Sequence, residues 1–204
     1  MSSSSFSSTG KVRPPFTLKV ALTKDEIQAC YDIRIEVFSV EQGFPLETEI
    51  DEHDPTSIHF LLTTPIPSPP SEQTLIPNPP SKSHPSELEK GQTTEKPIGT
   101  IRYVPSLSKL TRLAVDQEYR QYGFGKVLVD GMHKWIAANR GELNQSKIVE
   151  KGEKRVIKVK CHSQIPVIPF YAMMGYVSEG PEFDEEGGES WCLAYLIHTS
   201  KKAD

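Results

Sequence analysis

Residues 111–126 read Thr-Arg-Leu-Ala-Val-Asp-Gln-Glu-Tyr-Arg-Gln-Tyr-Gly-Phe-Gly-Lys. An apolar β-type run ends in an Arg-x-x-Gly-x-Gly turn, and an amphipathic pattern starts directly behind it. A strand that feeds a helix through a glycine turn presents backbone N–H groups at the positive end of the helix. That is an anion site, most often for phosphate. Two glycines at a helix start can equally serve only a tight turn. A Walker loop is excluded, because the required lysine and Ser/Thr are missing at their offsets. A dinucleotide fingerprint fits poorly, since Arg120 stands where the first glycine belongs.

Other residues invite chemistry less strongly. Asp51, His53 and Asp54 could hold a metal, but an acidic loop of this kind is more simply a solvated turn. His59 lies in a β-type run and reads as a structural histidine. Cys30, Cys161 and Cys192 are far apart, odd in number and form no Cys-x-x-Cys pair. They suit a reducing compartment better than a disulfide framework. Cys161, inside a β run, reads as core rather than as an acyl carrier.

The elements that must position these groups follow from periodicity. Residues 16–22 alternate as a strand. Thr23 before Lys24-Asp25-Glu26 is an N-cap with acid in the first turn, and Ile27, Tyr31, Arg34, Ile35 and Phe38 recur at helical spacing. Residues 58–63, 98–104 and 109–115 read as strands. Phe124, Val127, Leu128, Met132, Trp135 and Ile136 mark a helix that Gly141 would close. A strand over 155–161, a short helix ending at Gly175, and strands at 176–177 and 191–198 complete a mixed α/β layer pattern. Residues 1–15 read as a disordered Ser-rich tail, followed by one domain over 16–199. Within it, 65–97 is a Pro-rich loop insertion and 141–154 a charged linker.

The chain of 204 residues carries a net charge of −4, so it lacks the basic balance of a general nucleic-acid binder. No run reaches the ~18 apolar residues of a membrane span, and the N-terminus has neither a secretory apolar segment nor an arginine-rich transit pattern. The expectation is a cytoplasmic protein, with the nucleus open, that uses no nucleic acid and no membrane.

Leu113-Ala-Val115 followed by Arg120-Gln-Tyr-Gly123-Phe-Gly125 resembles the pyrophosphate motif of the GNAT superfamily of N-acetyltransferases. Phe170-Tyr171-x-x-x-Gly175-Tyr176 resembles a further segment of that family. The block Arg34-Ile-Glu-Val-Phe38-Ser-Val-Glu41-Gln42-Gly43 is similar to its small ElaA/YjcF-type branch. So are Glu49-x-Asp51-x-x-Asp54 leading to His59, and Phe183-Asp184-Glu185. The likeness spans about residues 16–198 apart from the two linkers.

The resemblance implies a central twisted, mostly antiparallel sheet of six or seven strands with about four helices. It implies that Leu113, Ala114 and Val115 pair with pantetheine as an added strand would. The amides of Gln121, Tyr122, Gly123, Phe124, Gly125 and Lys126 would hold the diphosphate, with both glycines letting it come close. Arg120 would be a phosphate contact or a solvated turn residue, and Gln164 a cofactor contact. Tyr171 would protonate the leaving thiolate, or merely pack beside Phe170. Glu41 would be the first choice for the base, with Gln42 near the acceptor, or both would cap or tie a loop to the core. Arg34 would hold an acidic group of the acceptor or pair with an acid such as Asp51. The implied activity is direct transfer of acetyl from acetyl-CoA to a primary amine, of a small molecule in the first instance, in a ternary complex without metal. A lysine or N-terminal protein acceptor is the alternative, and a CoA-binding sensor without turnover is an alternative of another class. A monomer or homodimer is expected.

Overall fold

The computed structural model describes residues 11–67, 93–139, 148–151, 154–185 and 188–199. Its strands are β1 (Thr17–Val20), β2 (Ile58–Pro67), β3 (Thr93–Val104), β4 (Lys109–Val115), β5 (Ile148–Lys151), β6 (Lys154–Gln164), β7 (Val177–Glu185) and β8 (Gly188–Thr199). They lie in the order β1-β2-β3-β4-β6-β8-β7, with β5 paired to β6. Every pairing is antiparallel except β4 with β6.

Residues 59–64 are buried without alternation, because helices cover both faces of the sheet. Leu61 packs with Cys30 and Ile33 of α1 (Lys24–Arg34) on one face. Phe60 and Leu62 pack with Leu128, Met132 and Ile136 of α2 (Phe124–Ala138) on the other. Leu62, Leu128, Met132 and Ile136 are fully buried, and each such side chain stabilises by about 1.5–3 kcal/mol.

Thr23 and Glu26 form a capping box that starts α1. The helix then widens into a π-segment over Ile35–Glu41, which the Phe44 N–H closes onto the Phe38 carbonyl at 2.9 Å. α2 ends at Asn139, which donates to the Trp135 carbonyl through both its main chain and its side chain. Gly141, read as the closing glycine, lies outside the described residues. α3 (Ile168–Ala172) is short and turns into β7 through Gly175 at φ 87°.

Three boundaries differ from the sequence reading. The β2–β3 ladder runs on to Pro67↔Thr93, so the hairpin reaches into the Pro-rich stretch, of which 68–92 lie outside the described residues. The region read as a charged linker at 141–154 contributes β5, since an edge strand tolerates charge. Residues 11–15 are placed: the Pro15 carbonyl accepts from Thr64 Oγ1 at 2.8 Å. Three α-helices occur among the described residues, where about four were implied.

Candidate active site

β4 and β6 pair in parallel only at Lys109↔Lys160 and Leu110↔Cys161. Beyond that point β4 follows β3 while β6 follows β8, and the two strands part. The parting leaves main-chain groups of β4 at an open edge, where an extended chain can add. A cleft of about 270 Å³ opens there. Leu110, Thr111, Arg112 and Leu113 form one wall, and His162, Ser163, Gln164, Val167 and Tyr171 another. Phe38, Gln42, Phe44 and Glu49 close the side below the π-segment. The predicted residues Leu113, Gln42, Gln164 and Tyr171 are therefore brought together.

β4 is bulged at the cleft. Thr111 opposes Arg102 and Ala114 opposes Thr100, so Arg112 and Leu113 share the single partner position of Ile101. Arg112 takes φ 53°, a left-handed conformation that costs about 1–2 kcal/mol outside glycine. Its surroundings hold it there. Arg112 Nη2 donates to the Thr48 carbonyl, and its guanidinium lies 3.8 Å from both Glu49 and Asp51. Bulges of this kind re-aim strand groups beside functional sites.

The glycine turn follows. Gln121 and Gly123 take φ 70° and 75°. Gly123 is the N-cap of α2, and no side chain caps the helix there. The first-turn amides thus meet the requirement for an anion. The two glycines do different work. A Cβ on Gly125 would come 3.0 Å from the Phe170 ring, so this position serves the packing of α2 against α3. Phe124 is core, and Lys126 pairs with Asp130 on the helix surface at 2.5 Å.

Arg120 and Glu41 meet each other. Arg120 grips both Glu41 carboxylate oxygens, at 2.5 and 2.6 Å, and its Nε donates to the Val115 carbonyl at 3.0 Å. The hydrogen bonds from Arg120 hold the Glu41 carboxyl below its ordinary pKa. The pair ties the end of β4 to the π-segment, and Glu41 is not among the residues lining the cleft.

Arg34 is fully buried and does not line the cleft. It pairs with Asp54 at 2.7 Å, approaches Glu49 at 3.7 Å and stacks on Tyr31. Arg102 holds Asp51 at 2.7 Å and Asp54 at 2.8 Å. Burial works to raise the Asp51 carboxyl, but the Arg102 bonds and charge outweigh it and bring it to about 2. His59 donates from Nε2 to the Asp54 carbonyl at 3.1 Å, and burial lowers its pKa. Asp51 and Asp54 are thus engaged by arginines. Glu49 belongs to the same network, is 2% exposed, and is the carboxylate on the cleft wall. The sequence carried it only within a resemblance motif, with nothing local to mark it as facing a cleft.

Tyr171 is 6% exposed, and burial raises its phenol well above the ordinary value, so it stays protonated. Cys161 is buried in the ladder, and burial pushes its thiol up to about 12, which disfavours the thiolate that acyl transfer would need. His162 stands at the cleft wall with its Nδ1 2.9 Å from Lys109 Nζ and its ring 4.8 Å from Phe183.

A sheet with one parted parallel pair, a bulged central strand and a glycine-started helix defines an acyl-CoA-binding architecture, and comparison with known proteins agrees. Residues 87–190, just over half of the chain, match the acetyltransferase (GNAT) domain, and the chain belongs to that family of acyl-CoA-dependent acyltransferases. A Bacillus subtilis (strain 168) protein designated an acetyltransferase is 24% identical over 172 residues, 83% of this chain and 89% of its own. Escherichia coli ElaA shares the fold at a TM-score of 0.57 and 16% identity, over 88% of this chain and 97% of its own. An acyl-CoA N-acyltransferase from Pseudomonas aeruginosa does so at 0.55 and 20%, over 88% and 98%. No described helix is long and apolar enough to cross a membrane.

Proposed function

We propose that the protein transfers an acetyl group from acetyl-CoA to a primary amine of a small molecule, by direct attack within a ternary complex. The observation that carries this is the parting of β4 and β6 after Leu110↔Cys161, with Tyr171 and Glu49 both lining the cleft that opens there. The open edge of β4 at Leu113, Ala114 and Val115 receives the pantetheine amides. The α2 amides at Gly123 to Lys126 receive the diphosphate, and Gln164 lies along the arm between them. The size of the cleft, near the lower end of small-ligand pockets, supports a small acceptor.

Each residue then has a task. The cleft walls hold amine and thioester side by side, which removes much of the entropic barrier. Glu49 takes the proton of the incoming ammonium; Glu41 is committed to Arg120 and acts as a tether instead. Tyr171, protonated throughout, donates to the departing sulfur. The same burial that disfavours a phenolate there disfavours a bare thiolate. Gln42 stands on the acceptor side, and no step calls for a metal.

The test is thiol release from acetyl-CoA against a panel of small amines and peptides, with product mass. Turnover on a small amine is expected. Thermal stabilisation by CoA without thiol release on any amine would overturn the enzyme reading in favour of a sensor. Turnover on peptides alone would overturn the small-molecule acceptor.

A further inference from the structure

The glycine turn is covered by a residue from the far N-terminal end of the described chain. Arg13 Nε donates to the Tyr122 carbonyl at 2.6 Å. Its guanidinium lies beside a pair of rings, 5.8 Å from the centroid of Phe124 and 6.0 Å from that of Phe16. A Cβ built on Gly123 would lie 2.8 Å from Arg13 Nη2, so one edge of the guanidinium rests on the N-cap of α2. Lys11 adds a second cation at the same place, 5.9 Å from the Tyr122 ring centroid. The segment is pinned behind these residues by the Thr64–Pro15 hydrogen bond and by the start of β1.

We infer that Arg13 is a phosphate-binding residue for coenzyme A, supplied by the N-terminal segment and added to the main-chain amides of the glycine turn. The inference rests on the reading of 121–126 as the phosphate loop. An anion at those amides meets the positive end of a 15-residue helix. A guanidinium whose Nε is held to a carbonyl and which rests beside two rings loses little freedom on binding, and its fork matches phosphate. Coenzyme A offers two phosphate groups within reach of such a turn, its diphosphate and its ribose 3′-phosphate, and the chemistry of recognition is shared.

The test uses the full chain and calorimetric Kd values for CoA and for dephospho-CoA, which lacks the 3′-phosphate. Arg13→Gln is expected to weaken CoA by about tenfold or more, the effect of one charge-assisted hydrogen bond. It should also flatten the salt dependence of binding. Arg13→Lys, which keeps charge and loses the fork, should fall between. Loss with both ligands places the contact on the diphosphate, and loss with CoA alone places it on the 3′-phosphate. Arg13 is half-buried and also bonds the Tyr122 carbonyl, so the variants are first shown to be folded by circular dichroism and the Kd values are compared at a temperature well below both melting points. Equal Kd values for wild type and Arg13→Gln with both ligands would overturn the inference and leave the loop reading standing. Failure of wild type to bind either ligand would overturn both.

Discussion

Glu41→Gln removes one charge of the pair with Arg120 and keeps the shape of the side chain. The pair is short, at 2.5 and 2.6 Å, yet its side chains are 37% and 32% exposed. Ion pairs in such surroundings contribute about 0.2–1 kcal/mol. As a tether, Glu41 should therefore change stability by no more than about 1 kcal/mol and kcat by less than about fivefold, the factor that 1 kcal/mol corresponds to. A carboxylate that takes the amine proton is worth about 10²–10⁴ in kcat. The two roles differ by more than an order of magnitude, and one assay separates them. Initial rates of thiol release at saturating acetyl-CoA and amine, taken from about pH 6 to pH 9, should show Glu41→Gln close to wild type. Glu49→Gln should lose about a hundredfold or more and recover in part at high pH, where the amine arrives already deprotonated. Because Glu49 also faces Arg34 and Arg112, its variant is checked for CoA affinity, which should hold. A hundredfold loss in Glu41→Gln with Glu49→Gln near wild type would refute the assignment.

Tyr171→Phe keeps the ring contacts with Phe170 and Tyr176 and removes only the hydroxyl. Its kcat should fall by about 10²-fold or more with CoA affinity unchanged, and wild-type turnover would remove Tyr171 as the acid. His133 is held neutral because burial lowers its pKa from 6.5 to about 4. Its ring stacks on Tyr195 at 4.4 Å, and its Nε2 lies 2.8 Å from the Tyr176 hydroxyl. The unfolded chain gains the His133 proton first as pH falls, so this stabilisation is complete above about pH 6.5 and is lost progressively toward about pH 4. At about 1.4 kcal/mol per pH unit the loss is on the order of 3 kcal/mol. Urea unfolding of His133→Phe should show a shallower decline across that window, and an unchanged slope would exclude His133 as its source.

The strand, glycine turn and helix over 109–138 were legible because the apolar period changes from two to nearly four at a glycine that φ 75° requires. Other features depend on partners distant in the chain. Arg120 and Glu41 are 79 residues apart, and an arginine in a glycine turn looks like a phosphate ligand until its acid is seen. Arg34 on a helix reads equally as a substrate contact or as the partner of an acid, and only the three-dimensional meeting with Asp54 and Glu49 shows what makes its full burial tolerable. β5 was read as linker because a strand at a sheet edge needs no apolar alternation to pair. The Arg112 bulge carries no Gly or Pro to announce it.

That bulge joins the two halves of the candidate site. An extra residue in β4 turns the strand away from its regular ladder beside the position where β6 parts from it. The same residue sends a guanidinium across to the Thr48 carbonyl and to within 3.8 Å of Glu49. Arg34, reaching from α1, approaches Glu49 at 3.7 Å. Glu49 is therefore placed by a strand distortion on one side and a helix on the other, and removing either cation leaves a buried carboxylate short of charge. Losing one partner from such a buried cluster costs about 3–5 kcal/mol, more than enough to make the loop over 46–57 rearrange before the acid is exposed unpaired. The open cleft beside β4 and the Glu49 carboxylate on its wall thus meet at one local departure from β geometry.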